Sequence, residues 1–217
     1  MSRVVIILVV FLFVLNVHAG NPDEKMPLLI EAIVKNNDSA AEMILRSEKQ
    51  ANIEYGGSSA LMFAVTPHCK LSFVEALLQQ GADPNYRQMD TKTTPLLESL
   101  VEGSWECVEA MLAYGGDITL IDANGTGAAY RAVESGNIEL VKKIASMGVD
   151  VDLPRKDGVT PIMYAARAGK KGIVSFLLSK GSLECRRNSR GLTPGNLAEL
   201  SRDNGTIKLF TTSCDGK

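Results

Sequence analysis

The sequence predicts an all-α solenoid of helix-turn-helix repeats joined by hairpin loops, and a regular period is the main reason. Four dipeptides follow one another at intervals of 33 residues: Thr94-Pro95, Gly127-Ala128, Thr160-Pro161 and Thr193-Pro194. Gly115, Gly148 and Gly181 keep the same interval of 33, and Gly81 lies 34 residues before Gly115. A period of about 20 to 50 residues indicates structural repeats that stack on their neighbours.

Each repeat reads as two helices, and the repeat that begins near residue 157 shows this most clearly. Thr160 is a suitable N-cap, and Pro161 fits the first helical position because its missing N–H has no partner to lose there. Gly169 ends the first helix, and apolar residues from Ile173 onward mark a second helix. Gly181 ends that helix, because a glycine readily adopts the left-handed conformation that follows a helix.

This pattern resembles the ankyrin repeat, whose motif runs D-x-x-G-x-T-P-L-H-x-A-A-x-x-G and then V-x-x-L-L-x-x-G-A-D. The best copies are Gly81–Asn85 and Asp157–Pro161, and the resemblance covers nearly the whole chain beyond residue 20. It implies an ankyrin domain at 20–217, divided into an N-terminal cap at 27–53, full repeats at 54–87, 88–120, 121–153 and 154–187, and a C-terminal cap at 188–217.

The chain departs from the motif in three places. Leu97 and Met163 stand where the motif has histidine, and no repeat keeps that residue. Gly127 replaces the capping threonine of the third full repeat, which we expect to cost about 1 kcal/mol. Two extra residues lie before Thr94, and insertions of this kind usually lie on the binding side of a solenoid.

Residues 1–19 have the pattern of a secretory signal peptide. Arg3 precedes an unbroken apolar run over 4–15, and Ala19 is the expected cleavage point. The run is shorter than the roughly 20 residues that span a bilayer, so we expect no stable membrane anchor. The predicted location is the periplasm, although translation from Met26 would leave a cytosolic array.

Four cysteines in an exported chain permit two disulfides in three possible connectivities. We predict Cys69–Cys107, because both lie near helix ends of adjacent repeats, and Cys185–Cys214, which would hold the C-terminal cap to its neighbour. No Cys-x-x-Cys pair is present, so the sequence predicts no metal site.

Catalysis and nucleic-acid binding have little support. His68 is the only histidine beyond the signal peptide, and the sequence contains neither a nucleophile elbow nor a phosphate-binding glycine loop. The net charge of −2 is too mild to favour nucleic acid. We therefore expect no enzyme activity, no cofactor and no small-molecule substrate.

Charge is nevertheless unevenly distributed. Residues 75–152 contain 13 acids and 5 bases, whereas residues 153–190 contain 9 bases and 2 acids. Either the solvated outer faces differ in charge without any functional role, or the two regions form a bipolar surface that orients a partner of complementary charge.

The resemblance implies a concave binding face made of loop tips and first helices. Carried over residue by residue, the predicted partner-binding positions are Tyr86, Gln88, Met89, Asp90, Thr91, Glu102, Asn124, Glu134, Lys156, Asp157, Arg167, Arg187, Ser189 and Arg190. Tyr86 and Met89 are candidate apolar anchors. Arg167, Arg187 and Arg190 are the candidate hot spots, because arginine is enriched there.

Small exported ankyrin proteins of Gram-negative bacteria resemble immunity proteins paired with type VI secretion lipase effectors. That likeness implies one protein partner, a secreted toxin or phospholipase, bound by a chain that is monomeric when free. Two alternatives remain open: a periplasmic scaffold or stress-protection factor that binds a resident protein, and an exported effector that binds a host protein.

Overall fold

The fold comes from a computed structural model that describes residues 25–47, 51–210 and 214. The chain divides into two compact units, Met1–Asp117 and Ile118–Lys217, and each is considered by itself over its described residues. The predicted signal peptide and the cleavage point after Ala19 lie outside the described residues. So do short stretches of the predicted caps at 48–50, 211–213 and 215–217.

The described residues of the N-terminal unit form paired helices and one short hairpin. The helices are α1 (Leu28–Val34), α2 (Asp38–Ser47), α3 (Ala60–Val65), α4 (Leu71–Gln79), α5 (Pro95–Glu102) and α6 (Trp105–Ala113). Strands β1 (Glu54–Tyr55) and β2 (Ser58–Ser59) pair antiparallel in the loop before α3, with Glu54 opposite Ser59. Helix α3 packs against α1 and α5, and α4 packs against α2 and α6.

The described residues of the C-terminal unit repeat this arrangement. The helices are α7 (Ala128–Ser135), α8 (Ile138–Ser146), α9 (Pro161–Arg167), α10 (Lys171–Ser179), α11 (Pro194–Ser201) and α12 (Asn204–Ile207). The first helices α7, α9 and α11 pack side by side. The predicted array of paired short helices is confirmed. Over the described residues, none of the helices combines the length and apolar character needed to span a bilayer.

The Thr-Pro dipeptides begin helices as the sequence predicts. The side-chain oxygens of Thr94, Thr160 and Thr193 each accept the backbone N–H three residues later, at 3.2–3.4 Å. Proline occupies the next position in all three cases. Because the hydroxyl satisfies an N–H that the helix leaves unpaired, the cap fixes where each first helix begins.

Helix α7 begins without such a cap, since Gly127 has no side chain to offer. An aspartate holds this turn instead. Asp122 Oδ1 accepts the N–H groups of Asn124 and Thr126 at 2.8 Å each, and Asp122 Oδ2 lies 2.8 Å from Arg131 Nη2. The Asp122 side chain is only 2% exposed, so this is a buried ion pair inside the repeat.

Small side chains line the faces where the first helices meet. Ala129 and Ala132 in α7, and Ala165 and Ala166 in α9, are all buried. Alanine lets neighbouring helices approach closely while still excluding water from the contact.

The structure contains the two disulfides that the sequence predicts, one in each unit. Cys69, just before α4, is bonded to Cys107 in α6, with the two Cα atoms 6.5 Å apart. Cys185, in the loop after α10, is bonded to Cys214, with the two Cα atoms 5.2 Å apart. The first disulfide therefore links the loop before α4 to α6, and the second links the loop after α10 to the C-terminal segment.

Candidate protein-binding surface

The hairpin-loop tips of the C-terminal unit are hydrogen-bonded to one another. The Lys156 N–H donates to the Asn124 carbonyl at 2.8 Å, and the Ser189 N–H donates to the Asp157 carbonyl at 2.9 Å. Gly158 has a φ of +75°, and a Cβ there would lie 3.0 Å from a backbone carbon of the next loop. The tips are therefore held at fixed spacing, and four sequence-predicted binding residues lie on them.

The long loop between α4 and α5 is tied to the β1–β2 hairpin. The Met89 N–H donates to the Gly57 carbonyl at 3.0 Å, and the Gln88 side-chain amide donates to the Ser58 hydroxyl at 3.1 Å. The Gln88 carbonyl oxygen also accepts from the Thr91 hydroxyl. Gln88 is thus half-buried and positions the loop through its own hydrogen bonds.

The two predicted apolar anchors differ in exposure. The Tyr86 hydroxyl donates to Glu54 Oε2 at 3.1 Å, and burial, assisted by that carboxylate, raises the pKa of Tyr86 to about 12. The Met89 side chain is 65% exposed and lies beside the exposed Asp90. Of the two, Met89 is the side chain that presents most of its surface to a partner.

Two of the predicted acidic contacts have partners within the fold. Glu102 Oε2 lies 3.5 Å from His68 Nδ1, and burial raises the pKa of the Glu102 carboxyl. Glu134 Oε2 lies 3.1 Å from Arg131 Nη1. Asp90, in contrast, is exposed on its loop.

A pocket of about 280 Å³ lies between α9, α11 and the loops that precede them. It brings together four sequence-predicted residues: Asp157, Arg167, Ser189 and Arg190. With Arg155 added, the lining contains three arginines and one aspartate, so the pocket carries positive charge. We refer to it as the arginine pocket.

One wall of the arginine pocket is aromatic and holds Arg155 in place. The Arg155 guanidinium lies 5.2 Å from the Tyr130 ring centroid, and its Nη1 donates to the Tyr130 hydroxyl at 3.2 Å. Arg155 Nη2 lies 3.5 Å from Asp157 Oδ2. The Tyr164 ring lies 5.3 Å from that of Tyr130, and burial raises the pKa of both phenols. Both tyrosines therefore remain neutral at physiological pH, and Arg155 has a fixed orientation.

The other basic candidates divide into available and engaged side chains. Arg167 and Arg190 are exposed, and among the described residues neither guanidinium has a hydrogen bond or ion pair. Arg187 instead donates from Nη1 to the Gly191 carbonyl at 2.9 Å and from Nη2 to the Cys214 carbonyl at 3.3 Å. Arg187 thus stabilises the C-terminal loop, whereas Arg167 and Arg190 face solvent.

Part of the pocket wall is apolar, beside the polar side chains of Asn188 and Ser189. Val159 and Leu192 are half-buried, Leu197 is 5% exposed and Leu200 is 64% exposed. An exposed leucine beside unpaired arginines offers a partner apolar surface and charge within one cavity.

Sequence reasoning missed Tyr130, Tyr164, Arg155 and Leu200. Tyr130 had a usable signal, since it lies 33 residues before Met163 and therefore occupies the position of the motif's histidine. Arg155 was not predicted because the family's variable positions map onto its neighbours in the sequence. One of these neighbours, Lys156, is exposed but does not line the pocket.

Comparison with known proteins identifies the family of the repeats. The family model described as ankyrin repeats (3 copies) matches residues 68–155 and 130–215. A phosphocholine transferase, AnkX, from Legionella pneumophila is 33% identical over 58% of this chain and 12% of its own length. The ankyrin repeat and KH domain-containing protein mask-1 from Caenorhabditis elegans is 30% identical over 93% of this chain and 8% of its own.

A relative of similar extent is the Notch-regulated ankyrin repeat-containing protein from Xenopus tropicalis, which is 30% identical over 53% of this chain and 84% of its own length. None of these three is named as an immunity protein. The chain spans only 6–20% of the length of four curated relatives that it matches, AnkX and mask-1 among them. Ankyrin repeats form protein-binding modules. Because the family model matches most of its length, this chain belongs to the ankyrin-repeat family.

Proposed function

We propose that this chain is an immunity protein that binds a toxic secreted effector, such as a phospholipase, and blocks it in the periplasm. The observation that carries the proposal is the arginine pocket. Arg167 and Arg190 are exposed without a described hydrogen bond or ion pair, and they lie on the loop and first-helix surface through which ankyrin arrays bind proteins. Exposed charged groups that complement the charge of a partner raise the rate and the specificity of association.

The proposed location rests on the cysteines and the predicted signal peptide. Cys69–Cys107 and Cys185–Cys214 join residues 38 and 29 positions apart, and disulfides form and persist in oxidising compartments. A periplasmic binder would meet an effector delivered to that compartment before the effector reached its membrane substrate.

We also propose that the chain acts by occlusion and catalyses no reaction. Among the described residues that line the arginine pocket, there is no histidine or cysteine to serve as a base or nucleophile. Tyr130 and Tyr164 have raised pKa values, which makes their phenolates harder to form. The residues that line the pocket are better suited to binding the surface of a partner protein than to transferring protons.

The test is affinity capture of the tagged, exported chain from its own cell envelope, with partners identified by mass spectrometry. We expect one stoichiometric partner whose toxic activity is silenced on binding. The Arg167→Glu/Arg190→Glu variant should release that partner. Arg187 is kept unchanged, because its hydrogen bonds to the Gly191 and Cys214 carbonyls stabilise the fold.

A matched control reverses surface charge elsewhere in the same unit. Lys142→Glu/Lys180→Glu changes two exposed lysines, one on α8 and one at the C-cap of α10, and it should leave capture unchanged. Capture of a resident, non-toxic protein would support the scaffold alternative and exclude the immunity role. Capture of a host protein would support the exported-effector alternative instead.

A further inference from the structure

The arginine pocket has a chemistry that specifies part of its partner. We propose that it receives an exposed segment of the partner protein in which an acidic side chain lies next to a large apolar side chain. This inference rests on the proposed protein-binding function, but it does not depend on whether the partner is a toxin.

The positive groups of the pocket fall into one fixed guanidinium and two adjustable ones. Arg155 is packed over Tyr130 and hydrogen-bonded to its hydroxyl, so its guanidinium has one orientation. Its Nη2 lies 3.5 Å from Asp157 and its Nε is buried, so Arg155 contributes fixed positive charge to the pocket. Arg167 and Arg190 are exposed long side chains that can adjust to a bound group. These two suit a carboxylate, because a guanidinium can donate two parallel hydrogen bonds to it.

The neighbouring wall favours an apolar side chain beside that carboxylate. Leu200 is 64% exposed, while Leu197 and Met163 are buried behind the pocket surface. Covering an exposed leucine with a partner's aromatic or aliphatic side chain removes apolar surface from water. A purely charged ligand would leave that surface exposed.

The same features disfavour a phosphate group. Asp157 lines the pocket and lies 3.5 Å from Arg155, so its carboxylate already takes part of the positive charge. The cavity volume of about 280 Å³ also fits one or two side chains better than a nucleic-acid backbone. A protein segment with both an acidic and an apolar side chain can contact the arginines with the first and the exposed leucine with the second.

The inference is tested without the natural partner, by NMR titration of the isotope-labelled chain with its disulfides intact. The probe is a capped seven-residue peptide with phenylalanine between two glutamates and flanking glycine and serine residues. We expect saturable shifts in the amides of Tyr164, Leu192 and Leu200. Replacing both glutamates with glutamine, or the phenylalanine with alanine, should each weaken binding by about tenfold.

Variants of the protein localise the effect. Arg167→Ala/Arg190→Ala should weaken peptide binding by about tenfold, whereas Lys142→Ala/Lys180→Ala removes the same charge elsewhere and should leave it unchanged. Both pairs are exposed, and an unchanged spectrum away from the substituted sites will show that each variant is folded.

Three outcomes would overturn the inference: no saturable shifts, shifts that ignore the peptide's sequence, or tighter binding of inorganic phosphate than of the peptide. Failure of the proposed function is distinguishable from either. A chain that captures a partner but does not bind the peptide keeps its function and loses this inference. A chain that binds the peptide but captures no toxin keeps this inference and loses the proposed function.

Discussion

The two compact units join successive repeats with different side chains. In the N-terminal unit, the Asn85 amide donates to the Gly115 carbonyl at 2.9 Å, and its carbonyl oxygen accepts the Asp117 N–H at 2.7 Å. Asn52 makes the matching pair of bonds one repeat earlier, both at 2.8 Å. These neutral amides therefore serve as a ladder that connects one loop to the next.

In the C-terminal unit, charged side chains take over this role. Asp152 accepts from Arg186 at its backbone carbonyl at 3.0 Å, and its carboxylate lies 3.7 Å from the same guanidinium. The Asp122–Arg131 ion pair, in contrast, lies inside one repeat, next to the uncapped start of α7. The repeat fixes the path of the backbone. The link from one loop to the next can then be made either by amide side chains or by ion pairs. The unit with more basic side chains is also the one in which Arg167 and Arg190 are left for a partner.

The largest expected effect comes from breaking the buried ion pair. Arg131→Ala leaves the Asp122 carboxylate, which is 2% exposed, without its cation, and we expect a loss of about 3–5 kcal/mol in the free energy of unfolding. Urea unfolding with the disulfides intact measures this. Lys142→Ala removes a solvent-exposed pair with Glu139 and should cost less than about 1 kcal/mol. Equal costs for the two variants would contradict the role given to Asp122.

The disulfides allow a direct comparison of the units. Cys69 and Cys107 are 38 residues apart, and Cys185 and Cys214 are 29 apart, so chain entropy predicts similar stabilisation. Replacing either pair with alanine should cost about 2–4 kcal/mol. Thermal unfolding of the two double variants, with the unsubstituted chain under reducing and oxidising conditions as controls, measures both. A stability that does not change on reduction would contradict this expectation.

The amide ladder should contribute less than the buried ion pair. Asn85→Ala removes two hydrogen bonds and leaves the Gly115 carbonyl and the Asp117 N–H to find water, so we expect a loss of about 1–2 kcal/mol. Urea unfolding at low and high salt is the measurement, and the loss should be independent of salt because no charge is involved. Asn196→Ala tests an amide whose hydrogen bonds stay within the Thr193 cap. If Asn85→Ala costs nothing, the ladder does not stabilise the unit.

The smallest effect is expected at the missing cap. Gly127 has an extended backbone at φ −104°, so a side chain causes no backbone strain there, although its Cβ would lie 3.1 Å from Leu153 Cδ2. Gly127→Ser should be more stable than Gly127→Ala by about 1 kcal/mol, because only serine supplies a capping oxygen. The alanine variant controls for the contact with Leu153. If the two variants melt at the same temperature, a capping oxygen adds no stability at the start of α7.

The sequence was sufficient for the fold because its signals are local and periodic. The threonine caps at 94, 160 and 193 and the regular glycines define where helices begin and end. It was insufficient for contacts that involve backbone atoms distant in sequence. Arg187 looked available to a partner, yet it donates to the carbonyl of Cys214, and a carbonyl carries no residue-specific signal. Tyr130 and Arg155 form the pocket wall only once two loops and a helix are in place.

The proposed function requires a protein partner to bind the arginine pocket of the C-terminal unit. Hydrogen–deuterium exchange of the captured complex against the free chain tests it most directly. We predict new protection in the loops and first helices at 155–167 and 188–200, with little change on the second helices α8 and α10. Protection confined to residues 25–117, with the arginine pocket exchanging as in the free chain, would contradict the account.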